Sequence, residues 1–165
     1  MAFGICRVRN LKMEELASTD QHNARLFESA EDYPPNIDPA KNFSARYVIE
    51  DDYVYPGQTS LQEAIQYRLD KQNVKGVRKN SRVALEYVLA VNDQTAWENY
   101  SPSGFFAEAE KWIEERHGKG SVVHVAEHYD ESNPHMHIVV VPVIKKEVRF
   151  KNRFGEGTRT EVRLN

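Results

Sequence analysis

Apolar and polar positions along the chain follow two different periods, and each period predicts a different kind of element. β-Branched and other apolar residues alternate or run continuously at 2–9, 47–50, 83–91, 121–128 and 138–143, which predicts strands. Apolar residues recur at helical spacing after N-cap residues at 18–20, after the capping box of Ser60 and Glu63, and from Pro102. These stretches predict helices at about 20–29, 61–74 and 102–117, and the prolines within 33–42 predict a loop.

The order of these elements predicts an α+β fold. A strand is followed by two helices, a strand, a helix and two strands, and a basic hairpin over 145–163 follows them. This order favours an antiparallel sheet with helices on its faces. The strands that carry His128 and His135 should be central, because apolar residues flank both of them. Glu86, inside the apolar strand 83–91, is expected near an edge or beside a polar neighbour.

Length and composition predict one globular domain over 1–165. The chain has 165 residues, of which 40% are apolar and 28% charged, so it can bury a core and lacks the bias of a disordered segment. No apolar run has the length of a membrane span, and the first residues lack the apolar region of a secretory signal. The single cysteine, Cys6, is expected in the core beside Phe3 and Ile5, and it suits a reducing cytoplasm.

Charge is unevenly distributed, although the net charge is only −3. Seven carboxylates lie between Glu28 and Asp52, whereas the segments 68–82 and 145–163 are basic. A charged segment is often only a solvated face, but these two are candidates for contact with DNA phosphates. The residues proposed for that contact are Arg68, Lys71, Lys75, Arg78, Lys79, Arg82, Arg149, Lys151 and Arg153.

Three histidines near one predicted hairpin form a candidate metal site. His135 and His137 stand two apart at the start of a strand, so their imidazoles project from one face, about 7 Å apart at the backbone. His128 ends the preceding strand, and the turn formers of 129–134 would bring it back beside the pair. One histidine alone on a strand more often has its hydrogen bonds satisfied within the protein, but three converging imidazoles favour a shared divalent cation.

The segment from His128 to His137 resembles the metal-binding motif of the MobV, or Pre/Mob, relaxases, which belong to the HUH endonuclease superfamily. Upstream, His22-Asn-Ala-Arg25 is similar to the N-terminal His-Asn-x-Arg motif of that family. The resemblance implies an antiparallel sheet of about five strands. It also implies that the chain is the relaxase domain of a longer protein, without its C-terminal oligomerising part, and we expect such a domain to be monomeric.

The resemblance further implies metal-dependent nicking of one DNA strand at a plasmid transfer origin. His128, His135 and His137 would hold Mn²⁺ or Mg²⁺, with Zn²⁺ less favoured, and Asp130 would support a ligand histidine. His22 would attack the phosphate, Glu131 would orient His22 and take its proton, and Arg25, predicted to share a helical face with His22, would grip the phosphate.

Three alternatives stay open at this stage. Many relaxases outside this family use a tyrosine nucleophile, and the N-terminal region holds Tyr33, Tyr47, Tyr53 and Tyr55. Histidine is favoured because a neutral imidazole is nucleophilic near pH 7, whereas a phenol has a pKa near 10. The three histidines would also suit a zinc hydrolase, or a purely structural metal in a non-catalytic DNA-binding module. The spacing of Asn42-Phe43 and Ala45-Arg46-Tyr47 departs from the family pattern, which leaves the DNA contact of that segment open.

Overall fold

The computed structural model describes residues 4–91 and 102–165. Within these ranges the chain forms one six-stranded antiparallel sheet, a separate two-stranded hairpin and three α-helices. The sheet strands are β1 (Gly4–Lys12), β2 (Phe43–Ile49), β3 (Asp52–Val54), β4 (Arg82–Val91), β5 (Val122–His128) and β6 (His135–Val140). The hairpin strands are β7 (Val143–Asn152) and β8 (Gly155–Leu164), and the helices are α1 (Leu16–Asn23), α2 (Leu61–Lys71) and α3 (Pro102–His117).

The strands of the sheet lie in the order β1-β4-β6-β5-β2-β3, so the two histidine-bearing strands β5 and β6 occupy its centre, as predicted. The predicted antiparallel sheet with helices is also confirmed. It has six strands in the described ranges where about five were expected. The additional strand, β3, is only three residues long and pairs with β2 across a turn in which Glu50 and Asp51 both have positive φ.

One face of the sheet is covered by α1 and α2. Leu16 of α1 and Leu61 and Ile65 of α2 pack with Val139 of β6 in a buried cluster. The helix α2 begins at the predicted capping box, in which the Ser60 side chain accepts from the Glu63 N–H. It ends at Lys71, three residues before the predicted end.

The opposite face is covered by α3, which has the predicted bounds. Phe106 and Ile113 are fully buried against Met136 and Ile138, whose side chains alternate with those of His135 and His137 along β6. The strand β6 therefore turns Met136 and Ile138 to α3, and its histidines lie on the opposite face, which Val139 shares with the cluster beneath α1 and α2.

Two predictions about the N-terminal region are wrong. Cys6 is exposed, because β1 is an edge strand with most of its residues in solvent, and Phe3, expected beside it in the core, lies outside the described residues. The helix α1 ends at Asn23, earlier than predicted, and Arg25 follows it with a φ of 54°. His22 and Arg25 therefore do not share one helical face.

The hairpin β7–β8 is a basic arm rooted at the edge of the apolar cluster beneath α2. Val143 and Leu164 pack against that cluster, and the Lys75 N–H donates to the Val162 carbonyl at 2.8 Å. Beyond this root most of its residues are exposed. None of the helices in the described ranges is long and apolar enough to cross a membrane.

Candidate active site

Four histidines meet where α1 lies over the ends of β5 and β6. The antiparallel register sets His128 of β5 directly opposite His135 of β6, and His137 follows two residues along the same face. His22, in the last turn of α1, completes the group. One ring nitrogen from each of these histidines lies within 4.8 Å of the corresponding atoms of the others. The structure thus brings His128, His135 and His137 together, as predicted.

Each of the three strand histidines uses one ring nitrogen to hold its ring in place. His128 Nε2 lies 2.8 Å from the Asn23 carbonyl, His135 Nδ1 lies 2.9 Å from the Asn133 carbonyl, and His137 Nδ1 lies 2.9 Å from Glu86 Oε1. These oxygens can only accept, so these nitrogens carry the protons. The lone pairs are therefore on His128 Nδ1, His135 Nε2 and His137 Nε2.

These three nitrogens fit a divalent metal ion. His137 Nε2 is buried and has no hydrogen-bond partner among the described residues, which is costly for a polar atom unless a ligand occupies the site. His128 Nδ1 and His135 Nε2 lie only 3.2 Å apart. Burial, foremost, lowers the pKa of His128 to about 2 and also lowers that of His135, so both are neutral at pH 7, as metal ligands must be.

Glu86 is a residue of this site that the sequence did not reveal. It is 1% exposed on β4, the strand next to the edge strand β1, and it has the expected polar neighbours: its carboxylate accepts from His137, from Asn23 Nδ2 at 2.8 Å and from Arg9. Although burial raises the pKa of Glu86, the hydrogen bonds from His137, Asn23 and Arg9 bring it to about 2. The negative charge of Glu86 is thus held against the His137 imidazole and is also bonded to Asn23, the residue that follows His22.

His22 stands beside the imidazoles of His128 and His137. Its ring centroid lies 5.6 Å from that of His128 and 5.4 Å from that of His137. Burial, foremost, lowers the pKa of His22, and the nearby His137 and Arg25 lower it further. The ring is therefore neutral at pH 7, with a lone pair available for attack.

The tyrosines of the N-terminal region are less suited to nucleophilic attack. Tyr47 is fully buried and donates to Asp20 Oδ1 at 2.5 Å, while burial, foremost, raises its pKa far above the usual value. Tyr33 lies with its ring 4.7 Å from that of Phe27, and Tyr53 and Tyr55 are more than half exposed. None of these tyrosines belongs to the histidine group.

Arg25 is placed differently from the expectation that it grips a phosphate. Its side chain is completely buried, with Nε and Nη2 donating to Asp130 at 2.7 and 2.9 Å and Nη2 also donating to Glu131 at 2.8 Å. Its Nη1 donates to the His22 carbonyl at 2.9 Å. Arg25 thus connects the turn after β5 to the end of α1. Asp130 was expected to support one of the strand histidines, but its partner in the structure is Arg25.

Glu131 lies at the edge of the histidine group. Its Oε1 is 3.9 Å from His128 Nδ1 and 3.8 Å from His135 Nε2, and Asn36 donates to Oε2 at 3.0 Å. Although burial raises the pKa of Glu131, the hydrogen bond from Arg25 keeps it below its usual value, so the group is a carboxylate at pH 7. In the part of the chain that the structure describes, Glu131 and His22 form no hydrogen bond with each other.

The two basic segments meet beside the root of the hairpin. Lys75 and Gly76 line a groove of about 580 Å³ together with Arg159 and Arg163, and Arg82 borders an adjoining one. Arg68 is held against the turn before β5, where its Nη2 donates to the Lys119 carbonyl at 3.3 Å. Lys71 lies over the Tyr67 ring, and Lys151 pairs with Glu156. Of the two segments, Lys75 and Arg82 therefore lie near Arg159 and Arg163 at the hairpin root.

Comparison with known proteins identifies the family. The family model Mob_Pre, described as plasmid recombination enzyme, matches residues 1–163. The chain belongs to the plasmid recombination enzyme family. A plasmid recombination enzyme of Bacillus sp. is 28% identical over 160 residues, covering 94% of this chain and 37% of that protein. A type 2 enzyme of Staphylococcus aureus strain N315 is 28% identical over 158 residues, covering 94% of this chain and 36% of its own length.

Solved structures of one member share the fold. The Mn-bound MobM relaxase domain (MOBV; Mob_Pre) in complex with plasmid pMV158 oriT DNA at pH 6.8 matches with a TM-score of 0.70 and 23% identity, over 85% of this chain and 70% of that one. A second MobM complex, with 26-nucleotide oriT DNA, matches with a TM-score of 0.60 and 19% identity, over 85% and 69% of the two chains. The chain spans little more than a third of the curated relatives it matches.

Proposed function

We propose that this chain nicks one DNA strand at the transfer origin of a plasmid or another mobile element, and that His22 becomes joined to the 5′ end. The observation that carries the proposal is the position of His22, a neutral imidazole whose ring centroid lies 5.4–5.6 Å from those of two metal-competent histidines. Family membership supports the choice of DNA as substrate. Residues 1–165 would form a single, monomeric nicking domain that acts in the cytoplasm.

His128, His135 and His137 would hold a divalent ion, through the nitrogens left free by their hydrogen bonds. Such an ion would neutralise charge on the non-bridging oxygens of the scissile phosphate. Manganese is our first choice and magnesium our second, since the MobM structures are described as Mn-bound. Zinc is less favoured.

The proposed reaction exchanges one bond at phosphorus for another. A lone pair of His22 forms the N–P bond, the P–O bond to the 3′ oxygen breaks, and that oxygen takes a proton to become a free 3′-OH. The proton of the His22 ring would pass to Glu131, which is close enough for its charge to raise the pKa of His22 partly against the burial effect. Arg25 would position His22 by donating to the His22 backbone carbonyl. We propose this role in place of phosphate binding because no part of the Arg25 side chain is exposed.

The DNA would be an origin hairpin with the single strand around the nick, by analogy with MobM, which is described as bound to oriT DNA. The exposed basic side chains near the hairpin root and on the hairpin would contact its phosphates. Arg68 would serve less well than expected, because it is bonded to the Lys119 carbonyl.

Incubation of the protein with DNA of its own origin and Mn²⁺ tests this function. The parent protein should give a covalent protein–DNA product whose bond is labile in acid and survives alkali, as a phosphohistidine bond is. The His22→Ala variant should give none, and His22→Tyr should retain some product with an acid-stable bond. An acid-stable product from His22→Ala would show that a tyrosine is the nucleophile.

One observation favours a second candidate, a closed structural metal site. Because the His22 nitrogen also lies within 4.8 Å of the ligand atoms, four histidines could complete a tetrahedral shell with no open position. Metal content of His22→Ala separates the two. Unchanged metal binding with loss of the adduct supports a nucleophile, whereas loss of metal supports a fourth ligand.

A further inference from the structure

The far end of the hairpin carries an exposed aromatic ring. β7 ends at Asn152 and β8 begins at Gly155, so Arg153 and Phe154 form the two-residue turn between them. Phe154 is 83% exposed, more than any other large apolar residue of the described ranges. Its backbone N–H donates to Asn152 Oδ1 at 2.9 Å, which helps to define the turn. An exposed phenylalanine at the end of a long arm does nothing for the core of the protein.

The arm places this ring well away from the body of the domain. Each strand of the hairpin has ten residues, which corresponds to about 33 Å of extended chain. Among residues 4–91 and 102–165, the hairpin is bonded to or packed on the rest of the fold at its root, around Val143, Val162 and Leu164. The segment 145–163 carries seven basic residues against three acidic ones, so its charge complements that of a nucleic acid.

The Phe154 ring has one occupied face and one free face. The Arg153 guanidinium lies over it, with Cζ 4.6 Å from the ring centroid. Phe150, the other aromatic residue of the hairpin, is packed. Its ring lies so close to Gly157 on the facing strand that a Cβ added there would stand 3.3 Å from the ring Cζ. The Arg159 guanidinium lies over the Phe150 ring, with its Cζ 5.6 Å from the ring centroid. Phe150 therefore stabilises the hairpin, whereas Phe154 remains available.

We propose that the Arg153–Phe154 turn is a stacking site for an unpaired DNA base, with the base on the free face of the Phe154 ring. Aromatic rings stack on any base, and a neighbouring arginine adds a cation for the phosphates. The bases inside a duplex already cover each other, so away from duplex ends an exposed ring finds a free base face only in unpaired DNA. This inference rests on the proposed function in taking DNA as the ligand.

Single-stranded oligonucleotides carrying 2-aminopurine at one position each, and the same strands annealed to their complements, test the site. The parent protein should quench the fluorescence at one position of the single strand. Phe154→Ala should abolish this quenching and weaken single-strand binding about tenfold, without changing the slope of log affinity against log salt, because no charge is removed. Phe154→Trp should restore both, and duplex binding should be equal in all variants.

A matched control is Trp112→Ala, which removes an exposed aromatic ring that also lies under an arginine, Arg116, but on α3. It should bind like the parent. Equal weakening of single-strand and duplex binding by Phe154→Ala, or no weakening at all, would overturn the stacking site. Nicking of origin DNA is measured in parallel: a parent protein that binds and quenches without nicking would refute the proposed reaction and leave the stacking site standing.

Discussion

At the scale of single residues, the hydrogen bond from His137 to Glu86 determines how the site can bind a metal. The Glu86 carboxylate keeps the proton on His137 Nδ1 and leaves the lone pair on Nε2, the atom that we propose as a metal ligand. A glutamine at position 86 would keep the shape, but its amide could turn its NH₂ towards the ring and favour the other tautomer. The Glu86 charge also makes His137 Nε2 a stronger electron-pair donor to a metal ion.

We therefore expect Glu86→Gln to weaken Mn²⁺ affinity about 10- to 100-fold, which is the usual effect of losing such a carboxylate behind a ligand histidine. Affinity is measured by calorimetry on metal-free protein. His137→Ala should remove binding altogether, and Glu108→Gln, an exposed carboxylate on α3, should have no effect. Parent-like affinity in Glu86→Gln would show that Glu86 is merely a buried structural partner.

The sequence predicted the histidines but not this carboxylate, for a physical reason. His135 and His137 share a face because residues two apart in any strand do so, and this follows from local geometry alone. Glu86 lies 51 residues away from His137, and the two meet only through the pairing of β4 with β6. The burial of Arg25 was not predicted for a similar reason, since its partners Asp130 and Glu131 lie more than 100 residues away in sequence.

At the scale of elements, Asp20 joins α1 to two of its neighbours. One carboxylate oxygen accepts from the Tyr47 hydroxyl of β2 and the other from the Leu61 N–H at the start of α2, at 2.9 Å. Asp20 thus joins three elements and lies in the same helix as His22. If one of these donors is removed, an oxygen of the buried Asp20 carboxylate loses its hydrogen bond, which lowers the free energy of unfolding by about 1–3 kcal/mol.

We expect Tyr47→Phe to lower the free energy of unfolding by about 1–3 kcal/mol and to slow origin cleavage as well, because α1 carries His22. Denaturant unfolding and cleavage rates are measured on the same preparations. Tyr87→Phe is the control, since the Tyr87 hydroxyl lies 2.7 Å from Nε2 of His117, the last residue of α3. It should cost stability without slowing cleavage; equal slowing by both variants would mean that the anchoring of α1 is not specific.

Most elements followed from periodicity and capping, because each depends on neighbouring residues. The Ser60 and Glu63 capping box begins α2 as predicted, and the apolar run of 83–91 is the strand β4. β3 was missed because it is short and its turn uses Glu50 and Asp51 at positive φ, where asparagine or glycine is the usual sign of a tight hairpin.

At the scale of the whole molecule, the basic segments 68–82 and 145–163 meet at the hairpin root, although they are far apart in sequence. The pairing of Lys75 with Val162 brings them together, and Lys75, Arg159 and Arg163 line the groove between them. Glu161 already pairs with Arg159 and Arg163, so their charge is partly offset at the root. The exposed Arg149, Lys151 and Arg153 towards the tip are better placed to meet phosphates.

We expect the triple variant of Arg149, Lys151 and Arg153 to alanine to bind origin DNA more weakly and with a shallower salt dependence, because each lost phosphate contact removes about one unit from the slope of log affinity against log salt. Fluorescence anisotropy over a range of salt concentrations measures that slope. The matched control replaces Lys111, Arg116 and Lys119, three exposed basic residues on and after α3, on the opposite face of the sheet from α1 and α2. If the control reduces the slope as much as the hairpin variant does, the basic residues act through net charge alone and the hairpin is not a DNA-binding surface.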